Sequence, residues 1–468
     1  MNPYSRLIPR LNGTEIEERR GYYLGLAKKG ISGFILFGGE LETVRAKVRE
    51  LQTESQRPLV IASDLEQGLG QQVKGGTLFP PAMAIASAIK KSDTHRSRLL
   101  LERLYTAISL EARYAGINTI LAPVLDINTN PKNPIIATRA FGEDPETVSF
   151  IGCEMLRVFR QNSIMACGKH FPGHGDTLID SHVGLPVVKK ELSDLRRHEF
   201  VPFQEAIDVG IEMIMLGHLS VPALDPSGMP ASLSGQVVSY LRKTMRFRGA
   251  IITDAMNMGA VGNYTEEEAS LMALKAGVDL ILHPTDPDEV ASLLIQKKLS
   301  LQPLNLSPPA LSDSPCDFRE HRRLSAELTE MAVSMEGKMP RRIKKPFLII
   351  LNEDGDERKP HFVDAMGERY PDARSAMVLP GKEIPSQKIP ADYETVVAIF
   401  SSVKAWKTGA KAWLQNGIEA LKERATLFVS FGNPYTLADL PGDTARIYAY
   451  WDSDEAQKAV VAKLTHIR

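Results

Sequence analysis

Seven short apolar runs recur along the first 285 residues, and stretches with helical spacing separate them. The runs are GFILFGG (33–39), PLVIASDLE (58–66), NTILAPVLDI (118–127), IMACGKHFPG (164–173), EMIMLGHLS (212–220), GAIITDAMNMG (249–259) and VDLILHP (278–284). Almost every run is apolar at its start and ends in Gly, Asp, His, Lys or Glu, as a buried parallel strand reads when its carboxyl end opens onto a site. Intervening segments such as HRSRLLLERLYTAISLEARYAG (95–116) and EEEASLMALKAG (266–277) carry apolar residues at i, i+3, i+4 and i+7 and stop at Gly. Strand and helix alternate, which predicts an α/β chain folded as a (β/α)8 TIM-like barrel. Seven strands are legible rather than eight, so the barrel is expected to be irregular or to hold one strand too weak to show its period.

The pattern changes after residue 300. LQPLNLSPPALSDSPCD concentrates Pro and Ser and is followed by the helical stretch FREHRRLSAELTEMAVSMEG and the basic PRRIKKP. Beyond it, KPFLIILNE, YETVVAIFSS, ATLFVSFGN and ARIYAYW read as buried strands between helices, predicting a smaller open α/β sandwich. The expected organisation is a barrel over 1–300, a linker with a helix over 301–344 and the sandwich over 345–468. No GxGxxG or P-loop accompanies the second sheet.

Composition narrows the choice of partner. The 468 residues are 43% hydrophobic and 24% charged, an ordinary globular balance. Fifty-six Lys and Arg against 57 Asp and Glu leave a net charge of −1, so no positive field gathers nucleic acid or anionic lipid. A small or neutral partner fits better, bound by a monomer or weak oligomer. Cys153, Cys167 and Cys316 are scattered without metal-ligand spacing, and their odd number suits a reducing compartment. The N-terminus reaches no apolar core before Glu15, Glu17 and Glu18, and no later run approaches about 20 apolar residues. These features predict a cytoplasmic chain with no membrane partner, unless an export leader precedes it.

The densest chemistry lies in KHFPGHGDTLIDSH, Lys169 to His182, with three His, two Asp and one Lys in fourteen residues. Pro172, Gly173 and Gly175 exclude a regular helix there, so the segment is expected to be a loop at a strand end. Within it, Asp180 and His182 are spaced so that carboxylate and imidazole can meet, which fixes the tautomer and favours the charged ring of a general acid. Read alone, DSH is an Asp turn beside a surface histidine. Asp254 ends the run IITD at the expected barrel mouth and suits a nucleophile or an electrostatic stabiliser, or else a helix cap. A zinc hydrolase is the rival by composition, since His170, His174, Asp176, Asp180 and His182 include good ligands, but no HxH pair stands on an early strand.

KHFPGHGDTLIDSHVGLP together with ITDAMNMGA resembles the family 3 glycoside hydrolases, in their β-N-acetylglucosaminidase branch. Supporting segments follow in order: DLEQG (64–68), APVLDI (122–127), ATRAFGEDP (137–145), LGHLSVPALDP (216–226), PASLS (230–234) and LRKTMRFRGAIITDAM (241–256). The resemblance implies a retaining enzyme that releases terminal β-linked GlcNAc, with Asp254 as nucleophile, His182 as acid/base and Asp180 orienting it. It further implies that Asp64, Arg139, Lys169, His170 and His218 surround the sugar, and that neither cofactor nor metal takes part. One departure stands out. Where the family reads DQEGGRV, this chain has DLEQGLGQQV, with Gln67 for a Gly and Leu69 for the Arg, which removes a five-donor guanidinium and bears on sugar choice. Another sugar specificity, a phosphorylase, and a non-catalytic sugar-binding protein remain as alternatives.

Overall fold

The computed structural model describes residues 2–90, 94–301, 303–304, 306–310, 315–357, 359–384, 389–401 and 411–465. Parts of the Pro/Ser-rich stretch after residue 300 lie outside them. The chain forms two compact units: residues 1–79, 94–136 and 140–322 make the first, and residues 80–93, 137–139 and 323–468 the second.

The first unit is a parallel barrel. Strands β2 (Arg10–Asn12), β3 (Gly33–Phe37), β4 (Val60–Ser63), β5 (Thr119–Ile120), β6 (Met165–Phe171), β7 (Met213–Leu216) and β8 (Ala250–Thr253) pair in that order, while β1 (Leu7–Ile8) pairs with β9 (Ile281–Leu282). β8 reaches β9 through the Ile252–Leu280 bridge, and β1 and β2 are consecutive pieces of one segment. With β1 and β2 taken as a single stave, eight parallel staves close the ring among the described residues. Pro9 splits that stave: it has no N–H to give, and its carbonyl accepts from Ile35 N instead. This is the strand that hydrophobic periodicity could not reveal.

Alternate strand residues fill the barrel interior. Ile8, Ile35, Val60, Ala62, Leu121, Met165, Cys167, Met213, Met215, Ala250, Ile252, Leu280 and Leu282 form one buried cluster, with Leu304 and Leu306 of the post-barrel segment packed against it. The wall helices follow the expected periods. Thr94–Ala115 ends before Gly116, and Glu266–Ala276 starts with a capping box of Thr265 and Glu268 and stops at Gly277, whose φ of 101° suits glycine. No helix among the described residues is long and apolar enough to cross a membrane.

The second unit is an open sheet in the order β10-β15-β14-β13-β11-β12, with β10 antiparallel and the rest parallel. Four strands match the apolar runs: β11 (Pro346–Asn352), β13 (Glu394–Ser401), β14 (Ala425–Gly432) and β15 (Arg446–Tyr448). Strand residues alternate between two cores, Leu348 and Ile350 facing one, Phe347, Ile349 and Leu351 the other, so both faces carry helices. Two strands were not expected. β12 (Arg374–Val378) is an edge strand with exposed Arg374 and Ser375, and β10 (Ser334–Glu336) takes the tail of the stretch read as helical, whose helix stops at Ala332.

Candidate active site

The polar residues collect where the barrel strands end. β6 supplies the floor. Met165, Cys167 and Lys169 follow the two-residue period, so the lysine continues the interior row that its two predecessors fill with apolar atoms. The β6–β7 register then shifts between Gly168 and Phe171, a bulge of the kind that re-aims side chains beside a site. Lys169 is only 2% exposed; its Nζ lies 2.6 Å from Asp64 Oδ1 and 2.7 Å from Glu66 Oε1, both just past β4. An ammonium this deep needs such paired carboxylates. Glu66 is buried, whereas Asp64 stays about a quarter exposed and can meet a ligand.

His170 is held by Asp126. Its Nδ1 lies 2.7 Å from Asp126 Oδ2, and the carboxylate also accepts the backbone N–H of His174 at 2.6 Å. Burial opposes ionisation of Asp126, yet His170 and His174 bring its carboxyl below the usual carboxylate range. With Nδ1 donating to Asp126, Nε2 is the ring atom of His170 left to a ligand.

The segment after β6 is irregular, as Pro172 and the glycines require. Gly175 permits a close approach: a Cβ there would stand 1.8 Å from the Ile127 carbonyl oxygen. The loop is also pinned from inside. His174 Nδ1 meets Thr177 Oγ1 at 2.7 Å and its Nε2 meets Ser181 Oγ at 3.0 Å, while burial and the neighbouring His170 push its pKa down to about 4. His174 is therefore a neutral brace, not a metal ligand of the exposed face. Next to Ser181, Asp180 Oδ1 accepts from both the backbone N–H of His182, at 2.9 Å, and Nδ1 of its ring, at 2.7 Å. That bond fixes the tautomer and puts proton exchange at Nε2, on a side chain 32% exposed.

Asp254 follows β8 directly. Its Oδ1 accepts the Ala255 N–H at 2.8 Å, and its own N–H donates to Leu216 O. Burial raises the cost of its charge, but His170, His218, the Ala255 N–H and His182 together hold the carboxyl below its ordinary range. Three histidines acting on one carboxylate bring loop, floor and nucleophile candidate into one field. The backbone agrees: Gly259 N donates to His182 O at 3.2 Å and Ala260 N to Ser181 O at 3.1 Å, tying the His182 loop to the turn after Asp254.

His218, expected beside the sugar, is fully buried and occupied at both ring nitrogens. Nε2 donates to Ala255 O at 3.0 Å, so Nδ1 accepts from Ser232 Oγ at 2.6 Å. It braces the Asp254–Ala255 turn and leaves neither nitrogen for a sugar hydroxyl. Leu69 is fully buried and faces no solvent. Arg139 ends the helical turn Ala137–Arg139, which belongs to the second compact unit.

Sequence reasoning passed over Asp126, Glu66, Ser232 and His283. Three sit in segments quoted for the resemblance, APVLDI, DLEQG and PASLS, and a strand-end carboxylate is a readable signal. His283 ends the last predicted run. Burial and the Arg10 guanidinium push its pKa down to about 4, and its Nδ1 lies 3.0 Å from Asn257 Oδ1, in the turn after Asp254.

A parallel barrel whose carboxyl rim gathers an aspartate of depressed pKa, an aspartate-paired histidine and a lysine clamped by two carboxylates has its polar groups at the face where barrel enzymes build their sites. The chain belongs to glycosyl hydrolase family 3: the sequence model of that family's N terminal domain matches residues 12–307. It is similar to Beta-hexosaminidase A of Pseudoalteromonas piscicida, 30% identical over 363 residues, covering 66% of this chain and 60% of that protein. The chain thus spans less than two thirds of that relative. A Beta-hexosaminidase of Methylobacillus flagellatus is 31% identical over 284 residues, 59% of this chain and 80% of the relative. Among solved structures, a glycoside hydrolase family 3 beta-N-acetylglucosaminidase from Paenibacillus sp. str. FPU-7 superposes with a TM-score of 0.80 at 26% identity, covering 99% of this chain and 96% of the other.

Proposed function

We propose that the chain is a retaining exo-β-N-acetylglucosaminidase that removes terminal β-linked GlcNAc from cell-wall-derived sugars. The observation that carries this reading is the pair of backbone hydrogen bonds that tie the His182 loop to the turn after Asp254, with the His182 ring oriented by Asp180. The relatives named beta-hexosaminidase and beta-N-acetylglucosaminidase support the sugar class.

In the first step Asp254 attacks the anomeric carbon through Oδ2, because Oδ1 is engaged by Ala255 N–H. The glycosidic C–O bond breaks as protonated His182 Nε2 gives its proton to the leaving oxygen. In the second step the neutral Nε2 takes a proton from water, the water oxygen bonds to the anomeric carbon, and the ester to Asp254 breaks. Two inversions retain configuration. An imidazole in place of the usual second carboxylate brings no further negative charge to the nucleophile. Asp64 and His170 Nε2 are the groups that meet sugar hydroxyls, Lys169 holding Asp64 in place.

Incubation with a 5-fluoro GlcNAc donor bearing a good leaving group, followed by peptide mass spectrometry, tests the reading. An adduct on the peptide containing Asp254 is expected. Turnover of β-GlcNAc substrates with an adduct elsewhere, or no turnover of any β-glycoside, would overturn it.

A further inference from the structure

Three side chains that take no part in this chemistry converge elsewhere in the first unit: Glu111 near the end of helix Thr94–Ala115, Cys316, and His321 in the first turn of helix Phe318–Ala332. One donor atom from each lies within 4.8 Å of the other two. Glu111 is fully buried, His321 is 8% exposed and Cys316 is partly buried. His321 Nδ1 stands 2.9 Å from Glu111 Oε1 and 3.8 Å from Cys316 Sγ. The second carboxylate oxygen accepts the Thr77 N–H at 2.7 Å, which aims the first at the group.

A Cys–His–Glu trio invites comparison with a nucleophile relay. A relay uses both ring nitrogens, one toward the thiol and one toward the carboxylate. Here sulfur and carboxylate face the same Nδ1, so the ring cannot pass a proton from one to the other. Convergence of three donors on a common point is instead the arrangement one cation requires. The donor set selects its kind: a thiolate excludes calcium and magnesium, whereas sulfur, imidazole and carboxylate together suit zinc. Tetrahedral zinc with ordinary bond lengths separates its N and O ligands by about 3.3 Å and its S and N ligands by about 3.6 Å. The two separations seen here lie on either side of those values, within reach of small side-chain movements. Thr77 supplies the outer hydrogen bond that orients a ligating carboxylate.

We propose that Glu111, Cys316 and His321 bind one zinc ion through Oε1, Sγ and Nδ1, with water as fourth ligand. The ion fastens the segment leading into helix Phe318–Ala332 to the barrel-wall helix Thr94–Ala115, and Arg322 nearby in sequence already donates to the carbonyl of Gly75, two residues before Thr77, at 3.0 Å. Sequence spacing concealed the site, because Glu111 stands some two hundred residues before its partners.

The full chain, stripped with chelator and dialysed, is titrated with zinc and then with cobalt. Zinc is expected to bind at about one equivalent and to raise the unfolding midpoint by about 5 °C when well above its Kd. Cobalt is expected to give the near-ultraviolet charge-transfer band of a cobalt–thiolate bond. Cys316→Ser and His321→Gln should each lose the midpoint shift and the tight equivalent, while Cys153→Ser keeps both. Wild-type protein that binds no zinc, a cobalt complex with no thiolate band, or a Cys316→Ser chain that retains the full shift would each overturn the proposal. The cobalt band is read on wild-type protein, so the test stands even where a variant fails to fold.

Discussion

Lys169 and His182 stand thirteen residues apart, yet one is 2% exposed at the end of a strand and the other 32% exposed on an irregular loop. Around Lys169 the neighbours are charged and paired: Asp64 and Glu66 on its ammonium, Asp126 on His170. Around His182 they are exposed and apolar: Leu178, Ile179, Val183 and Val187 all lie open to solvent. In the proposed mechanism the floor, a network of paired charges, recognises and orients the sugar. The loop, in the same proposal, carries the proton. Exchange with leaving group and then water needs access, which a residue built into the floor would lack. Between the two, His174 braces the loop against Thr177 and Ser181, so the Asp180–His182 turn is positioned although its tip is open.

The sharpest way to separate floor from loop is to remove Asp254, the proposed nucleophile that both would serve. Asp254→Ala is expected to lower kcat by about 10⁴-fold or more on every β-GlcNAc substrate, whatever its leaving group. His182→Ala should behave differently. On chitobiose or muropeptide sugars, whose leaving oxygen needs a proton, a loss of about 10²- to 10⁴-fold is expected, against a far smaller loss on 2,4-dinitrophenyl β-GlcNAc. Steady-state kinetics on the two substrates checks both. Equal losses for His182→Ala on each would remove it from the acid role and place it with the floor.

Lys169→Met tests the floor itself. It removes the ammonium that pairs with both Asp64 and Glu66. The expected cost is about 3 kcal/mol of stability, at the low end for a broken buried pair because Asp64 is partly screened by solvent. A rise of about 10-fold or more in KM should accompany it, since Asp64 loses its anchor. Denaturant unfolding and kinetics on the same preparation read the two effects. A variant of unchanged stability would show that the lysine is not the keystone its burial implies.

How much of this contrast was legible in the sequence follows from what makes each part. Asp254, the Asp180–His182 pair and Lys169 are dense or terminate apolar runs, so residue type and position single them out as candidates. The brace by His174 and the occupied ring of His218 depend on Thr177, Ser181 and Ser232, hydroxyls too common to single out. Asp126 and Glu66 end readable strands but become distinctive only once paired with His170 and Lys169 across more than forty and one hundred residues. The fold behaved likewise. Long apolar runs were readable, whereas the first stave, whose apolar residues are interrupted by Arg6, Pro9 and Arg10, and the half-exposed edge β12 had no period to show. The zinc group lay hidden for the same reason: its donors meet only through packing.

Acidity sets floor and loop against each other through stability. His174 in the loop and His283 at the rim have pKa values lowered to about 4, against about 6.5 in the unfolded chain. Between those values the unfolded state binds protons that the folded state refuses, so stability falls as pH drops through that window. Asp126 and Asp254 have depressed values, so their contribution is present above the unfolded value near 3.9 and is lost only below it. The unfolding midpoint is therefore expected to fall between pH 6.5 and 4.5, before the aspartates titrate. His174→Gln should flatten that slope. A slope unchanged by the substitution would mean that His174 is protonated with the loop intact, and the brace would lose its basis.

The smallest effect expected lies at the loop tip. Leu178 is 68% exposed, and hydrophobic burial cannot explain its place. Exposed side chains away from special features change stability by less than about 0.5 kcal/mol, so Leu178→Ser should unfold with the wild type. Beside His182, however, an apolar surface is where the part of the substrate beyond the cleaved bond would pass. The substitution is accordingly expected to raise KM two- to threefold, about 0.4–0.7 kcal/mol of lost contact, for aryl and oligosaccharide substrates. Hydrolysis of a methyl glycoside, which has almost nothing to place there, should not change. A loss of stability would instead make the tip part of the packed structure, and an equal effect on all substrates would tie it to the chemistry of His182. Either result would erase the division between a floor that holds the sugar and a loop that handles what leaves it.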